Sequence, residues 1–482
     1  MSLASAINTA QSIFNNTGTQ TSVISNNIRN SANTDYSRRI AVTGTSSAGA
    51  NIVKIQRAQD DAIFRQNIES ISRSSAQTAL TTGLTQLQSL LGSTTKHETA
   101  PSTYLGKFQD ALQTFAVKPG DSTVAAAAVA SSVDVANSLN VTANGIQEIR
   151  QNADQEIAST VEDLNTLLHE FEAANNTIVR ETATGGDPLD ALDERDRVLK
   201  QIAEIVGVST ATRAGNDMVL FTNDGSVLFE AAPRAITFTP SSSLPAGIVG
   251  QSVLVDGVPL TAGIGPNTTG QGKLAGLLQL RDEIAPVFQK QLDEIARSLV
   301  ASFAETTTTA GLPPRAGLFS WSQDAIRPNG EVVNGAAASI KVNRAVIATP
   351  MLLRDGGVNG SDYIKNKEGF AGYSDQLKAW GQALNAKVPF AAEAEGPTSE
   401  SILAYSTASV GWLEQNRKAA SAADTTKSAM VARTSQALSN QTGVNMEEEL
   451  SLLMEMEQSY KASAKLVQAV DEMLNALLGM VR

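Results

Sequence analysis

Residue types that usually carry chemistry are scarce in this chain of 482 residues. Two histidines, His97 and His169, and no cysteine exclude a thiolate zinc site and leave too few ligands for a histidine one. The same absence removes disulfides and thiolate nucleophiles. The densest acidic run is Asp187, Asp190, Asp193, Glu194 and Asp196. It lacks the Asp-x-Asp-x-Asp-Gly order that brings oxygens onto one calcium ion, and reads instead as acids in the first turns of a helix, where the dipole favours them. Gly263, Gly265, Gly270 and Gly272-Lys273 match neither a dinucleotide nor a phosphate loop, since Leu274 stands where Ser or Thr is needed. There is no Gly-x-Ser-x-Gly, and no nucleophile has a base in view. The sequence therefore predicts no catalytic residues, no cofactor and no metal.

The informative spacing lies at the two ends. From Met446 apolar side chains recur in alternating steps of four and three through Leu450, Leu453, Tyr460, Ala464, Val467, Leu474, Leu478 and Val481, with Glu457 and Asp471 in the polar slots. At the other end the same rhythm runs through Leu3, Ile7, Ala10, Phe14, Ile24 and Ile28, with Thr17 and Thr21 filling its gaps. Such spacing keeps one face of a helix turned towards a partner helix. Spacing alone leaves open whether that partner belongs to an ordinary intramolecular core or to an assembly seam.

Charge separates the same two ends. Residues 1–57 carry Arg29, Arg38, Arg39, Lys54 and Arg57 against Asp35 alone, whereas 445–482 carry seven acids against Lys461, Lys465 and Arg482. The whole chain has a net charge of −12, which disfavours nucleic acid and anionic lipid as partners. The N-terminus lacks a basic region followed by an apolar one, because Asn8, Thr9, Gln11, Ser12, Asn15 and Asn16 interrupt it; no cleaved secretory signal is expected. No stretch is expected to reach the apolar length of a membrane helix.

Eleven of the 15 prolines fall between Pro188 and Pro350, and none in 1–100 or 398–482, so the flanks read as helix and the middle does not. Residues 30–51 are rich in Ser, Thr, Asn and Gly and read as loop or irregular extended chain. Ile52 to Ile55 reads as a short strand or the lead into a helix that continues through Leu91. A second long helix follows Ile146 to Phe171. Asp187-Pro188 reads as the cap and first position of another helix. Met218–Phe221 and Ser226–Phe229 flank an Asp-Gly turn and read as a hairpin. Helix returns from Leu274 to Phe303, strand candidates lie around Ser339 to Val346, and a last helical block starts at Ser401.

Two terminal stretches carry a resemblance. Asn26-Asn27-Ile28-Arg29-Asn30 through Tyr36-Ser37-Arg38 resembles the N-terminal signature of bacterial flagellar axial proteins, NNIAN-x-x-T-x-GYSR, with Arg29 in place of Ala and Asp35 in place of Gly. Gly443-Val444-Asn445 through Glu449, followed by Gln458-Ser459-Tyr460-Lys461-Ala462-Ser463-Ala464, resembles their closing signature; Gln441-Thr442 replaces the usual Val-Ser ahead of it. Leu192-Asp193-Glu194-Arg195-Asp196 and the run Gly272-Lys273-Leu274-Ala275-Gly276-Leu277-Leu278-Gln279-Leu280-Arg281-Asp282 are similar to the hook-associated protein 1 family. Residues 311–400 match weakly.

The resemblance implies a non-enzymatic structural protein that polymerises at the hook tip and adapts hook to filament. Its partners would be copies of itself, the hook protein, a second junction protein, and an export chaperone holding the C-terminal helix. Its location would be the extracellular flagellum, reached by export in an unfolded state. The assembly interface would comprise Leu3, Ile7, Ala10, Phe14, Ile24, Ile28, Tyr36, Met446, Leu450, Leu453, Tyr460, Ala464, Val467, Leu474, Leu478 and Val481. The expected fold is α+β and multidomain. A terminal coiled-coil domain would combine 1–36 with 444–482, and a helical rod would combine 37–205, 273–310 and 366–443. One or two outer β-rich domains would fill 206–272 and 311–365. The rival readings are a hook or distal-rod protein of the same family, which would lack the two mid-chain motifs, and a hydrolase carried on the β insertion, which no residue set supports.

Overall fold

A computed structural model describes residues 3–46, 49–307, 311–321, 326–327 and 330–480. In chain order it begins with helix α1 (Leu3–Arg29), the hairpin β1 (Arg39–Ser46) and β2 (Gly49–Arg57), and helices α2 (Asp61–Ser89), α3 (Pro101–Val117), α4 (Ser122–Thr184) and α5 (Leu189–Ile205). Six short strands follow: β3 (Val208–Thr212), β4 (Met218–Thr222), β5 (Val227–Phe229), β6 (Ile236–Thr237), β7 (Leu254–Val255) and β8 (Val258–Pro259). Then come α6 (Lys273–Gln279), a π-turn at Leu280–Ile284, α7 (Ala285–Ser302), β9 (Phe319–Ser320), α8 (Ala336–Ser339), β10 (Lys341–Val342), α9 (Arg344–Ala348) and α10 (Leu352–Asp355). The chain closes with α11 (Asp375–Asn385), β11 (Val388–Pro389), β12 (Ser399–Glu400), α12 (Ile402–Thr442) and α13 (Met446–Met480). Long helices with several small sheets make it an α+β multidomain fold, as the sequence predicts.

Two compact units result, residues 1–72 with 164–235 and 427–482, and residues 73–163 with 236–426. In the first, α1 packs against α13 and against the β1–β2 hairpin. The hairpin forms where the sequence predicts loop or irregular extended chain up to residue 51 and a short strand or helix lead at Ile52 to Ile55. Its pairing runs from Arg39 opposite Arg57 to Ser46 opposite Gly49, with a bulge between Val42 and Thr43. Cross-strand partners and seats on α1 supply what composition lacked: Asn16 Oδ1 accepts the Ile52 amide at 3.1 Å, and Ser12 Oγ donates to Asn51 at 2.7 Å. Helix α5 begins one residue later than the Asp-Pro signal suggests, yet Asp187 Oδ1 still accepts the Leu189 amide at 3.1 Å. Its apolar side joins Leu189 and Leu192 to Ile178 of α4, and the expected hairpin appears as β4–β5, with Phe229 edge-on to Phe171 at 5.1 Å.

The second unit is organised on α7, which is buried on nearly every face, polar side chains included. Glu294 and Arg297 pair at 2.8 Å with neither side chain exposed. Glu294 accepts the Ala391 amide at 2.8 Å, and Gln291 bridges Ala394 O and Ser409. An aromatic cluster of Phe108, Phe303, Phe319 and Trp380 fills one end. Gly276 in the Gly-Lys-Leu-x-Gly-Leu-Leu run is required by contact: a Cβ there would stand 2.3 Å from Ala76 O. The expected strands around Ser339–Val346 shrink to β10, because Asn343 accepts the Ala345 amide at 3.0 Å and starts a helical turn. Helix α4 holds an 18-residue window of mean hydropathy 1.3; this corrects the expectation that no stretch approaches a membrane span, although 44% of that window is buried in the fold.

Candidate assembly surface

The N-terminal signature leaves α1 through turns at residues 30–35 and forms a polar lock. Asn27 is 1% exposed and uses its whole hydrogen-bonding capacity. Its Nδ2 donates to Arg39 O and to Glu449 Oε2, both at 3.0 Å, while its Oδ1 accepts Tyr36 OH at 2.8 Å and the Arg39 amide at 2.9 Å. Glu449 is equally buried, and Arg38 Nε donates to its Oε1 at 2.6 Å. Arg38 also reaches Glu448 at 3.2 Å, and its amide donates to Thr442 O at 2.8 Å. Asn445 caps α13 by accepting the Glu447 amide at 3.0 Å, which fixes where Glu449 faces. Thus the closing signature and the opening one meet across more than four hundred residues of sequence.

A second charge array adjoins the first. Arg39 donates to Asp190 at 3.0 Å and Asp193 at 2.6 Å, and its guanidinium lies 4.7 Å from the Tyr36 ring centre. Arg57 donates to Asp193 at 3.3 Å and Asp196 at 2.7 Å. Burial pushes the Tyr36 hydroxyl pKa up, with Arg39 opposing. Burial also raises Asp196 against the pull of Arg57. For Arg39 burial acts downward, but its contacts with Asp193 and Asp190 prevail and the net direction is up. Arg195, pushed down to about 10 by burial, donates to Asn175 Oδ1 at 3.0 Å and Asn216 O at 2.7 Å, tying α5 to α4 and to the loop before β4. The acidic run is therefore more than a dipole preference: three of its members hold the two arginines of the hairpin.

Placement of the expected interface residues divides into two sets. Ala10 and Ile24 are buried and Phe14, Ile28 and Tyr36 half-buried, whereas Ile7 is exposed. Phe14 meets Tyr460 edge-on at 5.0 Å. On α13 the row turned towards α1 is Glu449, Met456, Ser463 and Val470, joined by half-buried Leu453 and Leu474. Met446, Leu450, Ala464 and Val467 face outward, together with Met454, Leu466 and Met473. The side chains of Leu3 and Leu478, and the whole of Val481, lie outside the described residues. Apolar spacing missed the inward row because two of its four members, Glu449 and Ser463, are polar. It also passed over Asn27, Arg38, Arg39, Asp193 and Glu449; the signals available for them were the terminal and mid-chain signatures and, for the charged terminal ones, the opposite net charges of the two ends. Among the described residues no group of three or more His, Cys, Asp or Glu is placed to hold a metal.

Within the first unit a buried polar lock thus joins the N-terminal signature to the C-terminal helix. Residues 84–312 match the model of the flagellar hook-associated protein FlgK helical domain, and residues 435–480 that of the flagellar basal body rod FlgEFG protein C-terminal. The chain is 24% identical over 368 residues to flagellar hook-associated protein 1 of Escherichia coli (strain K12), an alignment covering 72% of this chain and 66% of the relative. It is 20% identical over 424 residues to the Bacillus subtilis (strain 168) protein of that name, covering 82% and 78%. The Salmonella typhimurium alignment spans 56% of that relative. The fold is similar to a solved flagellar hook junction protein FlgK from Burkholderia pseudomallei, at 14% identity and a TM-score of 0.57 over 77% of this chain and 99% of that one. Family model, curated relatives and solved structure all point the same way: the chain is similar to flagellar hook-associated protein 1.

Proposed function

We propose that this protein is a structural subunit of the hook–filament junction, polymerising at the hook tip and offering the filament its first lattice. The observation that carries the reading is the outward row of α13. Met446, Leu450, Met454 and Val467 stay uncovered in a single chain while the inward row is already occupied by α1. Exposed apolar side chains repeated along one helix face are a surface for other helices, and copies of the same chain supply them. Hook protein below and a second junction protein above are the partners that fit this role. Before assembly such a face favours aggregation, which gives an export chaperone its task. Export to the flagellum and a structural rather than an enzymatic role belong to the same reading.

The test is a strain in which this chain is replaced by Leu450→Asp. The charge falls on an exposed position, so the secreted monomer keeps its far-ultraviolet spectrum and melting temperature, while hooks lack filaments and monomer accumulates in the medium. Normal filaments on that strain would defeat the reading. A hydrolase reading makes a different demand, turnover of peptide or glycoside substrates by the purified chain.

A further inference from the structure

The three-stranded sheet of the first unit has one edge closed and one open. Its register runs from Val208 opposite Thr222 to Thr212 opposite Met218, and just beyond it the Arg213 amide donates to Asp217 O at 2.6 Å. Bonded and non-bonded pairs alternate along an antiparallel ladder. Ser209 and Ala211 therefore spend their backbone groups on β4, whereas Thr210 and Thr212 turn theirs away from it. Two amides of β4 agree with this phase: Thr222 donates to Ser226 O at 2.7 Å and Met218 to Asn175 Oδ1 at 3.1 Å, neither towards β3. No described group bonds the amides or carbonyls of Thr210 and Thr212. Across the sheet, the outer edge of β5 is closed by its own chain, since the Arg234 amide donates to Leu228 O at 2.9 Å and Phe229 bridges Pro233. Natural edges are commonly protected by lysine, proline or a covering segment; the Val-Ser-Thr-Ala-Thr of β3 has no charge and no proline.

A cavity of about 910 Å³ runs along the open edge. Thr210 and Thr212 point to one face of the strand and Ala211 to the other, and all three line the cavity, with parts of α2, α5 and α12 as its other walls. At the spacings of packed strands it holds about five residues of extended chain. Arg195, 4% exposed, lines it as well. Its place is at the Thr212 end, because it shares Asn175 Oδ1 with the amide of Met218, the partner of Thr212. Both its hydrogen bonds leave from Nη1; Nη2 donates to nothing described, and Nε is buried without a partner. Unlike Arg39 and Arg57, Arg195 touches no carboxylate. Of the acids near it, Asp196 bonds Arg57 at 2.7 Å and Asp217 accepts Asn175 Nδ2 at 2.8 Å. The other charges of the cavity are engaged or open to water: Asp35 holds Lys200 at 3.0 Å, Asp60 accepts the Ala62 and Ile63 amides, and Asp61 and Arg65 are exposed. A guanidinium enclosed without a paired carboxylate is costly, and its unused edge is the kind that takes a carboxylate side-on.

We infer that the cavity beside β3 is a docking site for an extended segment of another protein, which adds a strand to β3 through Thr210 and Thr212 and places an aspartate or glutamate on Arg195. A second copy of this chain fits less well. None of its described strands of three residues or more, β1 to β5, carries an acid, and Glu230, which follows β5, is already held by Arg213 and Arg234.

Fluorescence anisotropy of the full chain with the fluorescein-labelled peptide Ser-Val-Thr-Glu-Thr-Val-Ser tests this on the monomer, independently of the junction role. Saturable binding is expected, weakened at least about tenfold when the peptide glutamate is replaced by glutamine. Thr210→Pro removes an amide that the fold does not use, a change an edge strand accommodates. It should lower affinity at least about tenfold while amide exchange in β4 stays as in the parent. No saturation up to about 1 mM, equal affinity for the glutamine peptide, or binding untouched by Thr210→Pro would overturn the inference. Faster exchange of β4 in Thr210→Pro would show that the amide is used within the fold, and would overturn the open edge. Self-association of the chain that competes with the peptide and disappears in Thr210→Pro would give the edge to a second copy and overturn the choice of partner.

Discussion

Replacing Arg38 by Ala should unlock the two ends of the chain, and the cost can be worked from the contacts. Glu449 is 1% exposed and receives two charge-relevant hydrogen bonds, one from Arg38 Nε at 2.6 Å and one from Asn27 Nδ2 at 3.0 Å. Removing Arg38 leaves a buried carboxylate with one neutral donor. Stranding such a charge costs about 3–5 kcal/mol when the pair is fully enclosed, and Arg38 is partly open to solvent, so about 2–4 kcal/mol is expected. Glu449→Gln keeps the Asn27 contact and removes the charge, costing about 1–2 kcal/mol for the weakened bond. In the double variant no charge is stranded, so its loss should fall short of the summed single losses by about 1–2 kcal/mol. All three tryptophans, Trp321, Trp380 and Trp412, lie in the second unit, and fluorescence would miss the effect. Hydrogen exchange read by mass spectrometry on peptides covering 27–40 and 446–456 is the suitable assay. An Arg38→Ala loss below about 0.5 kcal/mol there, or strict additivity in the double variant, would refute the idea that the lock holds α13 in place.

Three further outcomes are expected. Leu453→Asp, half-buried beside Thr17 and Thr21, should speed amide exchange in both α1 and α13, unlike Leu450→Asp, which should leave monomer exchange alone; equal effects would show that the inward and outward rows are misassigned. Gly276→Ala should lower the tryptophan-monitored stability of the second unit by more than about 2 kcal/mol, since its Cβ would stand 2.3 Å from Ala76 O and backbone cannot yield as a side-chain tip does; a neutral Ala variant would mean the helices separate freely. Burial pushes Asp293 up to about 7, against amides of Gly335 and Ala337 and the Gln289 side chain that pull it down. A folded pKa above the unfolded one gives stability that is complete below about pH 4 and lost as pH rises towards 7, so urea midpoints of the second unit should fall over that window and then level, and a flat profile would contradict the assignment.

Helix periodicity at both ends, the Asp-Gly hairpin and the helices on either side of it could be read from the sequence, because each is fixed by spacing within a few turns of chain. So could the resemblance to flagellar axial proteins, because Asn27, Tyr36, Arg38 and Glu449 stand in the terminal signatures that carry it. Tertiary structure alone decided what those residues do. Neither the pairing of Asn27 with Glu449 nor that of Arg39 with Asp193 leaves any local trace, since a buried hydrogen bond between distant residues imposes no period on either segment. The same reason explains the hairpin at 39–57, where Ser, Thr and Gly form strands only once a partner strand and α1 supply their hydrogen bonds. It explains as well why the inward row of α13 escaped notice: Glu449 and Ser463 face α1 as polar groups with partners, and hydrophobic spacing records only which side chains avoid water, not which ones have found a substitute for it.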